Sequence, residues 1–118
     1  MKKVIFYSYP KCSTCRKASK WLDQSNIDYQ FIDIAKEPPL EKYLELALIQ
    51  FSSDLKKIFN TRGKSFKLID FDILDLTKKE MVELLSNDGK LIKRPFLIIN
   101  ETKLILGFNE SEYTSNFK

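Results

Sequence analysis

The chain has 118 residues, 43% of them hydrophobic and 31% charged, with a formal charge of +4 and no histidine. Three Gly and four Pro are too few for a disordered, collagenous or low-complexity protein, and the length sets one domain, residues 1–118, as the expectation. No apolar run reaches the ~18 residues of a membrane span, the stretch after Met1-Lys2-Lys3 is too short for a signal peptide, and the missing histidine removes every His-dependent triad, base and metal site. The cytoplasm is therefore the expected compartment. The charges are spread along the chain without a block of one sign, so they read as a solvated surface, and no direct nucleic-acid contact is expected.

In chain order, residues 3–7 are a β-branched and aromatic run that predicts a buried strand, broken by Ser8-Tyr9-Pro10-Lys11. From Ser13 the pattern becomes helical, with Cys15, Ala18, Trp21 and Leu22 on one face, and Ser25-Asn26 ends the helix. Residues 29–34 predict a second strand, parallel to the first because a helix crosses between them. Pro38-Pro39 are expected in the first turn of a helix whose inner face is Leu40, Tyr43, Leu44, Ala47, Leu48 and Phe51. Leu55, Ile58 and Phe59 predict a second short helix, followed by a turn at Asn60-Thr61-Arg62-Gly63. Thr77-Lys78-Lys79-Glu80 has the spacing of a capping box, and Met81, Leu84 and Leu85 supply the apolar face behind it. Residues 96–100 and 103–106 predict a hairpin, and a short helix follows Phe108. The order is β-α-β, a helical insert over about 38–92, then β-β-α. Without the insert this is the order of a thioredoxin-like fold, an α/β architecture with a four-stranded mixed sheet.

Both cysteines lie in Cys12-Ser13-Thr14-Cys15, between the first strand and the first helix. In a reducing compartment, C-x-x-C beside a βαβ unit reads as a thiol redox motif. The free amides and dipole at the helix start favour a thiolate at Cys12, and Lys11, Arg16 and Lys17 add positive charge nearby. Cys15, one turn along and facing inward, is the more buried sulfur, which makes Cys12 the attacking thiol and Cys15 the resolving one. Two other readings stay open. Zinc needs four ligands, so with two Cys and no His it would require carboxylates or a second chain. Alternatively, Cys15 fills the core and Cys12 is an ordinary exposed thiol. Arg94-Pro95 stands at the entry to the third strand; a proline there is tolerated at an edge, or is a cis-proline facing the cysteine loop, with Arg94 over the thiolate.

Four blocks together resemble the arsenate reductase-related family of thioredoxin-like proteins, which also holds the Spx and MgsR regulators. They are Tyr9-Pro10-Lys11-Cys12-Ser13-Thr14-Cys15-Arg16-Lys17-Ala18, Phe59-Asn60-Thr61-Arg62-Gly63-Lys64, Asp88-Gly89-Lys90-Leu91-Ile92-Lys93-Arg94-Pro95 and Gly107-Phe108-Asn109-Glu110. The resemblance implies a reactive Cys12, Arg94 as its partner and Pro95 in cis. It implies a substrate site of Arg94, Arg62, Asn60, Pro95, Ser13 and Thr14. Glutaredoxin-linked arsenate reductases hold the oxyanion with three arginines; the matching positions here are Asn60, Arg94 and Gly107, so weak or no arsenate reduction is expected. The expected chemistry is a thiol–disulfide oxidoreductase that closes a Cys12–Cys15 disulfide. It binds no cofactor and is restored, as a monomer, by glutathione and glutaredoxin or by thioredoxin. The alternative is a redox-sensing regulator that binds the RNA polymerase α subunit. Those regulators use a glycine in the helical insert, where this chain has Ser52-Ser53-Asp54-Leu55.

Overall fold

Strand β1 (Val4–Ser8) is apolar except at its last residue and is buried along its whole length, as a central strand must be. It pairs in parallel with β2 (Gln30–Asp33) and antiparallel with β3 (Phe96–Ile99), which pairs antiparallel with β4 (Lys103–Leu106). The strand order is β2-β1-β3-β4, the mixed four-stranded sheet expected from the sequence. Side chains alternate across the sheet, so Val4 and Phe6 share a face. On that face they form one buried cluster with Leu97, Ile99, Ile105, Ala18, Leu22 and Tyr113. Ala18 and Leu22 come from α1 (Ser13–Gln24), and Tyr113 comes from α5 (Glu110–Phe117). Trp21, placed on the inner face of α1 by its spacing, is half-buried at the margin and meets Tyr113 edge-to-face with ring centroids 5.5 Å apart.

In this computed structural model, which describes residues 2–118, the chain divides into two compact units. Residues up to 33 and from 94 onward form the sheet unit, and residues 34–93 form the other. The second unit holds α2 (Glu41–Gln50), α3 (Lys64–Lys67) and α4 (Lys78–Asn87), with single 3₁₀ turns at Leu55–Ile58, Ile73–Asp75 and Gly89–Leu91. Helix α2 buries Tyr43, Leu44, Ala47 and Leu48 and packs on α4, which buries Met81, Val82 and Leu85. Among the described residues no helix is long and apolar enough to cross a membrane.

Several boundaries differ from the sequence pattern. Pro38 and Pro39 precede α2 rather than occupying its first turn, because Leu40 is the N-cap. Leu40 is therefore outside the helix and 55% exposed, not on its inner face. In α4, Val82 is buried and Leu84 half-buried, a small rotation of the predicted face. Strand β3 stops at Ile99 because Asn100 and Glu101 both take positive φ, 52° and 63°, to make the hairpin turn. Asn100 tolerates that conformation, and it ties the turn to β1: its side chain accepts the Lys3 N–H at 2.8 Å and its own N–H donates to the Lys3 carbonyl at 2.8 Å.

Candidate redox site

The turn from β1 into α1 sets both sulfurs at a helix start. The Cys12 N–H donates to the Tyr9 carbonyl at 3.0 Å, which closes the turn and leaves Cys12 extended as the N-cap of α1. Its Sγ then takes the place a cap oxygen would have and accepts the Cys15 N–H at 3.4 Å. Cys12 is half-buried and Cys15 is 2% exposed; both are free thiols. Ser13 is exposed and Thr14 half-buried in the first turn beside them.

Burial is the largest influence on the Cys12 thiol and pushes it up. It is overcome by hydrogen bonds from the Cys15 thiol and amide, and by the charge and a hydrogen bond of Arg94, so that Cys12 lies below its ordinary 9.0. Burial also dominates at Cys15 and raises it to about 11. Hydrogen bonds from the Ser8 side chain and the Tyr9 backbone oppose that rise, while Cys12 adds to it. Of the cations expected near Cys12, Arg94 has the strongest effect on it, and the Arg16 guanidinium donates to the Pro10 carbonyl at 3.1 Å.

Arg94 is half-buried, with its guanidinium carbon 4.7 Å from the centroid of the Tyr9 ring, a cation–π contact that fixes the plane of the guanidinium. Its Nη1 is buried and makes no hydrogen bond within the described residues. The Arg94–Pro95 bond is cis, and Pro95 is buried with its carbonyl accepting the Gly107 N–H at 2.9 Å. Gly107 has φ 75°, a conformation that favours glycine over any residue with a side chain. The sheet unit thus carries Cys12, Ser13, Thr14, Cys15, Arg94 and Pro95. Asn60 and Arg62 belong to the unit of residues 34–93. There the Asn60 N–H donates to the Leu91 carbonyl at 2.7 Å, and Arg62 is exposed. Among the described residues no group of three or more His, Cys, Asp or Glu is placed to hold a metal ion. Two contributors escaped the sequence reading: Tyr9, the platform for Arg94, and Ser8, the hydroxyl on Cys15.

The sequence model of the ArsC family matches residues 7–116. The chain belongs to the ArsC family. It is 40% identical over 116 residues to the uncharacterized protein YusI of Bacillus subtilis (strain 168), covering 97% of this chain and 98% of that one. It is 35% identical over 109 residues to the regulatory protein MgsR of the same organism, covering 92% and 86%. The crystal structure of a possible arsenate reductase from Streptococcus mutans UA159 superposes with a TM-score of 0.89 at 38% identity, covering 99% of this chain and 100% of that one. The fold of this ArsC-family chain is accordingly thioredoxin-like, as its element order suggested.

Proposed function

We propose that this ArsC-family protein is a thiol–disulfide oxidoreductase in which Cys12 attacks and Cys15 resolves. The observation that carries the reading is the opposite tuning of two thiols one helical turn apart. Cys12 is held toward thiolate by Cys15 and Arg94, and Cys15 is held as a buried thiol. In the first step the Cys12 thiolate attacks one sulfur of an oxidised substrate. A mixed disulfide forms and the second substrate sulfur leaves as a thiolate that takes a proton from water. Cys15 then displaces the bound sulfur, leaving a Cys12–Cys15 disulfide that glutathione with glutaredoxin, or thioredoxin, reduces. The free Nη1 of Arg94 offers a donor to an anionic group of the substrate.

Arsenate is expected to be a poor substrate. A multiply charged oxyanion beside a thiolate needs several charged donors, and of the three matching positions only Arg94 is an arginine. Asn60 brings no charge, and Gly107 has no side chain. At about 1.5–3 kcal/mol for each charged hydrogen bond, two missing arginines cost ~3–6 kcal/mol, or about two to four decades of affinity. The test is turnover of the purified protein against small disulfides, and against arsenate with glutathione and glutaredoxin. Disulfide turnover, with arsenate kcat/KM at least about a hundredfold below that of a three-arginine relative, is expected. Intact mass after mild oxidation should fall by two hydrogens without dimer; glutathione adducts alone would exclude the resolving role of Cys15.

A second reading is favoured by the 35% identity to the regulatory protein MgsR. In it the same disulfide is a switch governing binding to the RNA polymerase α subunit. Retention of the α subunit by one redox form only, with no disulfide turnover, would select it.

A further inference from the structure

Ser8 is the one polar residue among the buried residues described, at 3% exposure. Alternation along β1 puts it in line with Val4 and Phe6, on the face that α1 covers, where an apolar side chain would be expected. It is not idle there: Ser8, Tyr9 and Cys15 wall one cavity of about 200 Å³, and hydrogen bonding from the Ser8 side chain and the Tyr9 backbone works against the burial that raises the Cys15 thiol. A neutral thiol is a weak acceptor that needs neither donor. A thiolate buried to 2% exposure needs both. The end of β1 is therefore shaped for a charge that Cys15 does not carry in the resting dithiol.

We infer that the Ser8 hydroxyl, together with the Tyr9 N–H, is a positioning donor pair that stabilises the Cys15 thiolate during the resolving step. The inference rests on the dithiol reading above and deepens it. In the resting protein the Cys15 thiol is engaged by Cys12, which works against its ionisation. Once Cys12 is bonded to a substrate sulfur it carries no charge, and that opposition disappears while Ser8 and Tyr9 remain. Cys15 then loses its proton to water through a cavity of about 200 Å³ whose wall includes Ser8, Cys15, Arg16, Ser19 and Phe31. Its electron pair attacks the Cys12 sulfur, and the Cys12–Cys15 bond forms. The bond from Cys12 to the substrate sulfur breaks, and that sulfur leaves with the electron pair and is protonated by water. The two cysteines are oxidised by two electrons, and one substrate disulfide becomes two thiols. The donor pair is in place from the start, and Cys12 opposes its effect on Cys15 until the first sulfur has reacted.

The experiment is stopped-flow reaction of the reduced protein with an aromatic disulfide that releases a coloured thiol. The first release reports attack by Cys12 and the second reports resolution by Cys15. In Ser8→Ala the second phase should slow by about tenfold or more, the size of one lost hydrogen bond to an anion, relative to the first phase of the same sample. Ser8→Thr, which keeps the hydroxyl, should restore it. A second phase unchanged in Ser8→Ala overturns the inference while leaving the dithiol reading intact. So does an equal slowing in Ser8→Ala and Ser8→Thr, which would trace the effect to packing. A single release per chain from the unsubstituted protein overturns the resolving role of Cys15 and this inference with it.

Discussion

Cys12 and Cys15 carry the same functional group and feel the same leading influence, since burial raises both thiols. What separates them is depth of burial and what the neighbours do, since Cys12 gathers donors and a cation while Cys15 is more deeply buried and is raised further by Cys12. At Cys12 the neighbouring thiol, an amide and Arg94 outweigh burial, whereas at Cys15 two hydrogen bonds do not, and it stays near 11. A neutral-pH alkylating reagent should therefore label Cys12 first and leave Cys15 intact in the folded protein, as peptide mapping will check. Arg94→Ala removes a charge and a donor, so the alkylation-against-pH curve of Cys12 should move to higher pH. Arg94→Lys, which keeps the charge without the planar fork over Tyr9, should fall between. A curve that does not move would show that Arg94 is not what holds the thiolate. The raised Cys15 also has a sign for stability. Its native form binds the proton more tightly than the unfolded chain, so its contribution is full below about pH 9 and is lost as pH rises through about 11. Under reducing conditions the melting temperature should decline over that window, and Cys15→Ala should make the decline shallower. Part of the decline should remain, because buried Tyr113 is also raised. Cys12, Cys15, Arg94 and Pro95 could be picked out in the sequence because a spacing and a dipeptide mark them. Tyr9 could not, since nothing in a loop residue's identity says which ring a distant arginine will cover. Ser8 could have been found: continuing the alternation of Val4 and Phe6 by one step places it inside.

Elements whose ends are written in local chemistry were legible, and those without such marks were not. Helix α4 begins where Thr77 accepts the Glu80 N–H at 3.1 Å while the Glu80 carboxylate accepts the Thr77 N–H at 2.8 Å. Both partners lie within one turn, so the sequence shows them together. Thr77→Ala should cost about 1 kcal/mol in urea denaturation, with no change in the reactivity of Cys12. The cap also has a pH sign. The Thr77 hydrogen bonds hold the Glu80 carboxyl below its ordinary 4.5, so its contribution is present above that value and lost as pH falls through the lowered one. Helix α1 and the β3–β4 hairpin were legible for the same reason, a run of one period bounded by a turn. The start of α2 was not, because proline suits a first helical turn and the residues just before one equally well. The residues between α3 and α4 carry Leu68, Phe71 and Leu74 at 83%, 46% and 52% exposure. Apolar side chains left outside give a pattern reader no inner face to follow, and a 3₁₀ turn of three residues is too short to show a period.

At the scale of the molecule, the sheet is assembled from two stretches of chain separated by residues 34–93. Strand β1 sits between β2 and β3, so the sheet closes only if Asp33 and Arg94 are brought back together. A flexible loop of that length would cost on the order of 3–4 kcal/mol in closure entropy. The unit of residues 34–93 avoids much of this by holding its own two ends close. Gly89, near its end, lies against the backbone of Ile34 at its start, and the last residues are tied to the middle of the unit, where Lys93 donates its N–H to the Ile58 carbonyl at 2.8 Å and Ile92 bridges Phe59. The contact with Ile34 needs glycine for reasons of space. A Cβ on residue 89 would stand 1.8 Å from the Ile34 carbonyl oxygen and 2.8 Å from its carbon, and backbone cannot swing aside as a side chain can. We propose that residues 1–118 fold as one domain, and Gly89→Ala tests it. The substitution forces Ile34 and Gly89 apart and should cost about 3 kcal/mol or more. The single tryptophan, Trp21, lies in the sheet unit, while far-UV ellipticity also reports α2 and α4 in the other. In one cooperative domain both signals melt together in the parent and fall together in Gly89→Ala. If ellipticity alone falls while the Trp21 transition keeps its midpoint, the two units fold separately and the single-domain proposal is wrong.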